Sequence, residues 1–107
     1  MPTPRHRQVT IVRSRKQRRH GVTQGEAFET GHEPTPEDIS SLTHVATIGV
    51  SHRLTENLGE GNFLQVGCSV EWPCAPDEAS AKRTHAFAKK LSLEFIDADM
   101  QELKKNL

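Results

Sequence analysis

Phe63-Leu-Gln-Val-Gly-Cys-Ser-Val-Glu-Trp72 alternates apolar and polar side chains without a break. Leu64, Val66, Cys68, Val70 and Trp72 fall on one face of an extended chain, and Gln65, Gly67, Ser69 and Glu71 on the other. A period of two marks a strand buried on one side. Upstream, Leu42 to Thr55 alternates in the same way. Ala46, Ile48, Val50 and Leu54 share one face, with Thr47, Gly49, Ser51 and Arg53 opposite. Between the two runs lies Glu56-Asn-Leu-Gly-Glu-Gly-Asn62. Its Asn and Gly residues accept the positive φ that hairpin turns demand. The two runs therefore read as an antiparallel β-hairpin.

Downstream, Pro73 and Pro76 stop the second strand. Pro76-Asp77-Glu78 then opens a helix, because proline suits the first turn and acids complement its exposed amides. The helix starts near Asp77 and runs at least to Leu91. Beyond that, two readings stay open. A continuous helix carries one stripe of Thr84, Phe87, Leu91, Phe95 and Ala98, and an opposed stripe of Leu93, Ile96, Met100, Leu103 and Leu107. The first stripe would cover the hairpin and the second another subunit. Alternatively the helix breaks near Ser92, and Asp99 with Glu102 caps a short terminal helix.

Upstream of the hairpin the composition changes. The chain has 107 residues, of which 34% are hydrophobic, and a mean hydropathy of −0.64. That is a thin supply of core, so part of the chain is expected to be extended or to order against a partner. The net charge of zero conceals blocks. Residues 1–20 hold Arg5, Arg7, Arg13, Arg15, Lys16, Arg18 and Arg19 and no acid. Residues 21–43 hold Glu26, Glu29, Glu33, Glu37 and Asp38 and no Lys or Arg, with Gly21, Gly25, Gly31, Pro34 and Pro36 breaking regular structure. The expected organisation is a basic arm (1–20), an acidic Gly/Pro linker (21–43) and a β-β-α domain (44–107). Val9 to Val12 is the arm's one apolar-rich run, and Val9 and Ile11 there could add a strand to a partner. A hairpin with one helix is a small core, so a homo-oligomer or a subunit of a larger assembly is expected. Leu93, Ile96, Met100 and Leu103 are the candidate contacts.

Chemistry has little support. His6, His20, His32, His44, His52 and His85 are scattered, and a zinc site from Cys68, Cys74, His52 and His85 is conceivable but yields to a reading of Cys68 as a core thiol. Two cysteines point to a reduced chain rather than a disulfide scaffold. There is no Gly-x-Ser-x-Gly, and neighbours such as Ser51 and His52 point to opposite faces of a strand. Asp97 and Asp99 lie about 200° apart on a helix, which suits a solvated surface better than a metal. Gly59-Glu-Gly61 lacks the lysine and the strand-to-helix placement of a phosphate loop. No enzyme and no cofactor are expected. No apolar run is long enough for a membrane helix, and no apolar stretch follows the basic N-terminus to make a secretory signal.

The strongest functional signal is Arg13-Ser-Arg-Lys-Gln-Arg-Arg-His20. Arg13, Arg15, Lys16, Arg18 and Arg19 are permanent cations, and arginine forks match phosphate oxygens. The alternatives are docking on an acidic protein surface, or a solubilising disordered tail that could fold back on the chain's own acidic linker. With no aromatic among these cations, backbone contact without base readout fits better than a dedicated single-strand binder.

Val50-Ser51, Asn57-Leu58-Gly59, Val66 to Val70, the turn Pro73-Cys-Ala-Pro76 and the helix opening Asp77-Glu78 resemble a group of small bacteriophage-encoded β-hairpin/helix proteins. The group carries an aromatic directly after Asn-Leu-Gly, whereas here Glu60-Gly61-Asn62 delays Phe63. The resemblance covers about the last 60 residues and implies a phage or mobile-element origin, hence host cytoplasm or virion, without catalytic residues. The expected fold is α+β: an antiparallel hairpin packed against one long C-terminal helix, with an extended basic N-terminal arm. The expected function is a phage-type accessory protein that binds nucleic acid non-specifically through the arm and self-associates through its folded part. A virion component whose arm threads onto neighbouring subunits, and an inhibitor of a host or defence protein, are the rivals.

Overall fold

The computed structural model describes residues 8–32, 39 and 42–105. The fold is α+β. Strands β1 (Val9–Arg19), β2 (Val22–His32), β3 (Ala46–Gly59) and β4 (Asn62–Cys74) precede one helix, α1 (Glu78–Lys104). All neighbouring strands are antiparallel, in the order β2-β1-β4-β3. The β3–β4 hairpin and the long helix stand where the alternation and the Pro76-Asp77-Glu78 opening put them. The helix is continuous through Ser92, so the reading with a break there is set aside. Asp77 caps it, with its carboxylate accepting from the Ser80 amide at 2.8 Å and the Ser80 hydroxyl at 2.9 Å. Its 27 residues run about 40 Å, close to the length of the 13-residue β4, so the helix can lie along the whole hairpin. Among the described residues no helix is long and apolar enough to cross a membrane.

The first half of the chain differs from expectation. Over the described residues the arm and the linker are one hairpin. β1 is a central strand, paired with β2 from Val9↔His32 to Arg19↔Val22 and with β4 from Thr10↔Glu71 to Arg18↔Phe63. The basic block thus folds back beside the acidic one, and Arg15 stands opposite Glu26. Two-residue turns close both hairpins, the second after a register irregularity between Asn57 and Gly59. His20 and Gly21 have φ of 53° and 76°, and Glu60 and Gly61 have φ of 57° and 79°. Left-handed backbone at both central positions matches the twist of the flanking strands. Gly21 is therefore a turn residue rather than a linker breaker. Arg5, Arg7, Glu33, Pro34, Pro36, Glu37, Asp38 and Leu107 lie outside the described residues.

The core sits between α1 and one sheet face. It gathers Val9 and Ile11 from β1, Leu64, Val66, Cys68 and Val70 from β4, and Ala88, Ile96, Met100 and Leu103 from α1. The helix buries a face running between the two expected stripes. Ala88, Ser92, Ile96, Asp99, Met100 and Leu103 are buried, Leu91 and Phe95 are packed at its side, and Phe87 is half exposed. Small residues at Ala88 and Ser92 let the helix approach the sheet closely, while Phe87 stays at the margin, edge-on to Trp72 with ring centroids 4.8 Å apart. A helix is about 10 Å across and strands lie about 4.8 Å apart, so one helix shields about two of four strands. It packs chiefly on β3 and β4, and the described side chains of β2 from Val22 to Glu29 are exposed.

Glu60 and His20 hold a conformation that asparagine adopts more readily. Glu60→Asn and His20→Asn are each expected to raise stability in urea by about 0.5 kcal/mol, and Gly61→Ala to lower it by about 1 kcal/mol. Unchanged midpoints would contradict the turn assignment.

Candidate functional site

Alternation along β1 sends Arg13, Arg15, Gln17 and Arg19 to the helix side and Ser14, Lys16 and Arg18 to the open side. The basic segment is thereby split into two groups with different surroundings.

On the helix side, Asp99 is fully buried and receives both arginines. Arg13 donates from Nε to Asp99 Oδ2 at 2.9 Å and from Nη2 to Oδ1. Arg15 donates to Oδ1 from Nε at 3.2 Å and from Nη2 at 2.7 Å. The Arg13 guanidinium also stacks 4.4 Å from the Phe95 ring centroid and 5.4 Å from that of Phe28. A polar row continues across the sheet, since Arg13 is register partner to Cys68 and Cys68 to His52. Above it, buried Ser92 lies 2.9 Å from His52 Nδ1 and donates to the Cys68 carbonyl at 3.4 Å. Burial pushes the Cys68 thiol pKa up. Burial also pushes the Asp99 carboxyl upward, but the hydrogen bonds and charges of Arg13 and Arg15 outweigh it and hold the pKa below the usual value. Asp99 is therefore not the solvated helix residue its sequence position implied; it is the anchor for two of the five candidate phosphate ligands.

The open side presents another chemistry. Three adjacent cross-strand rows read Thr23-Arg18-Phe63-Asn57, Gly25-Lys16-Gln65-Thr55 and Ala27-Ser14-Gly67-Arg53, from β2 through β1 and β4 to β3. Lys16, Arg18 and Arg53 are exposed, and no acid stands in these rows. Glu29 and Glu71 lie in the next two rows, and Glu60 in the turn beyond. Lys16 Nζ lies 6.0 Å from the Phe63 ring centroid, and Gln65 donates to Thr55 at 2.9 Å. The fold thus sets an aromatic beside the cations, although none is near them in sequence. Phe63 and Arg53 were missed as site residues. The signal that locates them is the β1–β4 pairing, which no local pattern reveals.

The other expected contacts resolve differently. Arg19 is half-buried and engaged within the chain. Val9, Ile11, Ile96, Met100 and Leu103 are buried in this chain's own core, so they are not surfaces for a partner. Leu93 is exposed on α1. Cys68 and Cys74 are buried free thiols, and among the described residues no group of three or more His, Cys, Asp or Glu is placed to hold a metal. No family model, curated protein or solved structure significantly matches the chain.

Removing the carboxylate strands two part-buried guanidinium groups. Asp99→Asn is expected to cost about 3 kcal/mol in urea unfolding. Because the folded pKa lies below the unfolded one, Asp99's contribution is complete above about pH 4 and is lost as pH falls through the folded value. The wild type should therefore lose stability on acidification in that window by more than Asp99→Asn does; equal acid limbs would contradict the anchor.

Proposed function

We propose that the open sheet face binds single-stranded nucleic acid through its phosphate backbone. The observation that carries this reading is the patch of Lys16, Arg18 and Arg53, free of acids among the described residues, with Phe63 beside Lys16. Three permanent cations without carboxylate partners among the described residues attract a polyanion and release its counterions. Phe63 offers one surface on which any base can stack, and the Gln65 and Asn57 side chains add hydrogen bonds without a sequence code. A four-stranded face accommodates an extended strand laid across its rows. Arg13 and Arg15 take no part, because alternation along β1 turns them to the helix side, where Asp99 holds them.

Threading of the N-terminal strand onto a neighbour is the less favoured reading. Val9 and Ile11 lie in a strand paired on both sides, so donating them would dismantle the chain's own sheet. Self-association stays within the proposal on a different observation: β2 closes one side of the sheet, and its Val22 and Phe28 are exposed. A phage-type accessory role in host cytoplasm or virion is the setting this activity fits.

Three phosphate contacts on a single strand correspond to a slope of about −2 in log affinity against log salt. Anisotropy with labelled oligothymidylate over a salt series should show a slope that becomes shallower by about 2 in a variant carrying Lys16→Gln, Arg18→Gln and Arg53→Gln. An unchanged slope, or no binding by the full chain at low salt, would refute the reading.

A further inference from the structure

The third basic row and the one beyond it enclose a shallow depression on the open face. It is lined by Val12, Ser14, Ser51, Arg53, Gly67 and Ser69. Ser51 and Ser69 are direct register partners, as are Gly67 and Arg53, and Ser14 faces Gly67 from β1. Three strands thus deliver three hydroxyls and one guanidinium to a single spot. No hydrogen bond or ion pair within the chain occupies the side chains of Ser14, Ser51, Ser69 or Arg53 among the described residues. The hollow depends on a missing side chain: a Cβ on Gly67 would come within 2.6 Å of the Ser14 hydroxyl.

The donor set selects the ligand. Serine hydroxyls donate to oxygens from several directions, and a guanidinium supplies one positive charge with a planar pair of N–H groups. His52 and Cys68 also line the hollow, but alternation turns their side chains to the helix side, and the positive charge of Arg53 disfavours a cation. The hollow lacks an aromatic wall, so a base or sugar ring has no surface to stack on. What remains is a small oxyanion with oxygens directed to several sides, carrying about one charge. We infer that this hollow seats one phosphodiester group of the bound strand and fixes where the strand crosses the sheet. Lys16, one row away on the adjacent strand, then meets a neighbouring phosphate. The seat deepens the nucleic-acid reading and rests on it for the identity of the ligand.

The test uses the full chain, inorganic phosphate near pH 6 as the minimal probe, and oligothymidylate as the strand. Amide correlation spectra should show saturable shifts at Ser14, Ser51, Arg53, Gly67 and Ser69 on adding phosphate, reversed by the oligonucleotide. Arg53→Gln and Ser69→Ala should each weaken phosphate binding by about tenfold, the loss of one charge-assisted hydrogen bond. Gly67→Val should abolish it, with the shifts of α1 amides reporting that the fold is intact; the two milder variants decide the matter if Gly67→Val unfolds. Non-saturating shifts, or shifts centred on Lys16 and Arg18, would overturn the seat. Oligonucleotide affinity unchanged in Ser69→Ala and Gly67→Val, yet lost on neutralising Lys16 and Arg18, would also overturn it while leaving the face reading intact. Saturable phosphate binding at these residues with no oligonucleotide binding would uphold an anion seat and remove the nucleic-acid reading.

Discussion

Asp99, buried under the sheet and held by Arg13 and Arg15, is the constraint on which the rest of the structure depends. A carboxylate at that depth is tolerated only with its charge matched and its oxygens occupied. Both conditions are met by residues from the opposite end of the chain. The pair fixes the height and rotation of α1 over the sheet, and it ties the first hairpin to the second through something other than backbone pairing. Since α1 leaves β2 uncovered, β2 is placed only through β1, and β1 is held to the helix by these two arginines together with Val9 and Ile11. The same contact divides the basic segment: alternate cations are consumed inside, and those between them are turned outward.

A core on one side of the sheet also accounts for the composition. One helix on four strands covers about half of one face, so a chain that is 34% hydrophobic suffices. The opposite face is built largely of Ser, Thr, Gly and Ala, with a few long polar residues and the apolar Val12, Phe63 and Pro73. At the end away from the turns its Thr10 and Pro73 are buried. Lys16 and Arg18 lie toward the two-residue turns, and Arg53 borders the hollow at Gly67.

The second half of the chain was legible because its signals are local. Leu64 to Trp72 alternate, the Asn and Gly residues between 56 and 62 mark a turn by their own chemistry, and Asp77 is a cap by its neighbours. The first half was not legible, because what makes Val22 to His32 a strand is its partner. Gly25, Gly31, Glu26 and Glu29 weaken strand propensity locally, and pairing with β1 overrides it. The charge blocks pointed at most to a disordered basic tail lying back on the acidic segment, not to two paired strands. Asp99 was hidden for a similar reason. An acid on a helix reads as solvated unless the arginines that meet it are known to arrive, and those lie 86 and 84 residues away. The helix stripes were misassigned because the closest approach is made by Ala88 and Ser92, which a count of large apolar residues passes over. Of the candidate site, Lys16 and Arg18 were readable from charge, whereas Arg53 and Phe63 join them only once β1 is seen to pair with β4.

The central claim is that the fold separates structural from ligand-binding arginines within one strand. Side-chain Nε–Hε spectra of the full chain, recorded while oligothymidylate is added, test it most directly. The account predicts that the Arg18 and Arg53 signals move with saturation, while those of Arg13 and Arg15 stay in place and remain protected from solvent exchange by Asp99. Movement and loss of protection at Arg13 and Arg15, with Arg18 and Arg53 unaffected, would contradict it.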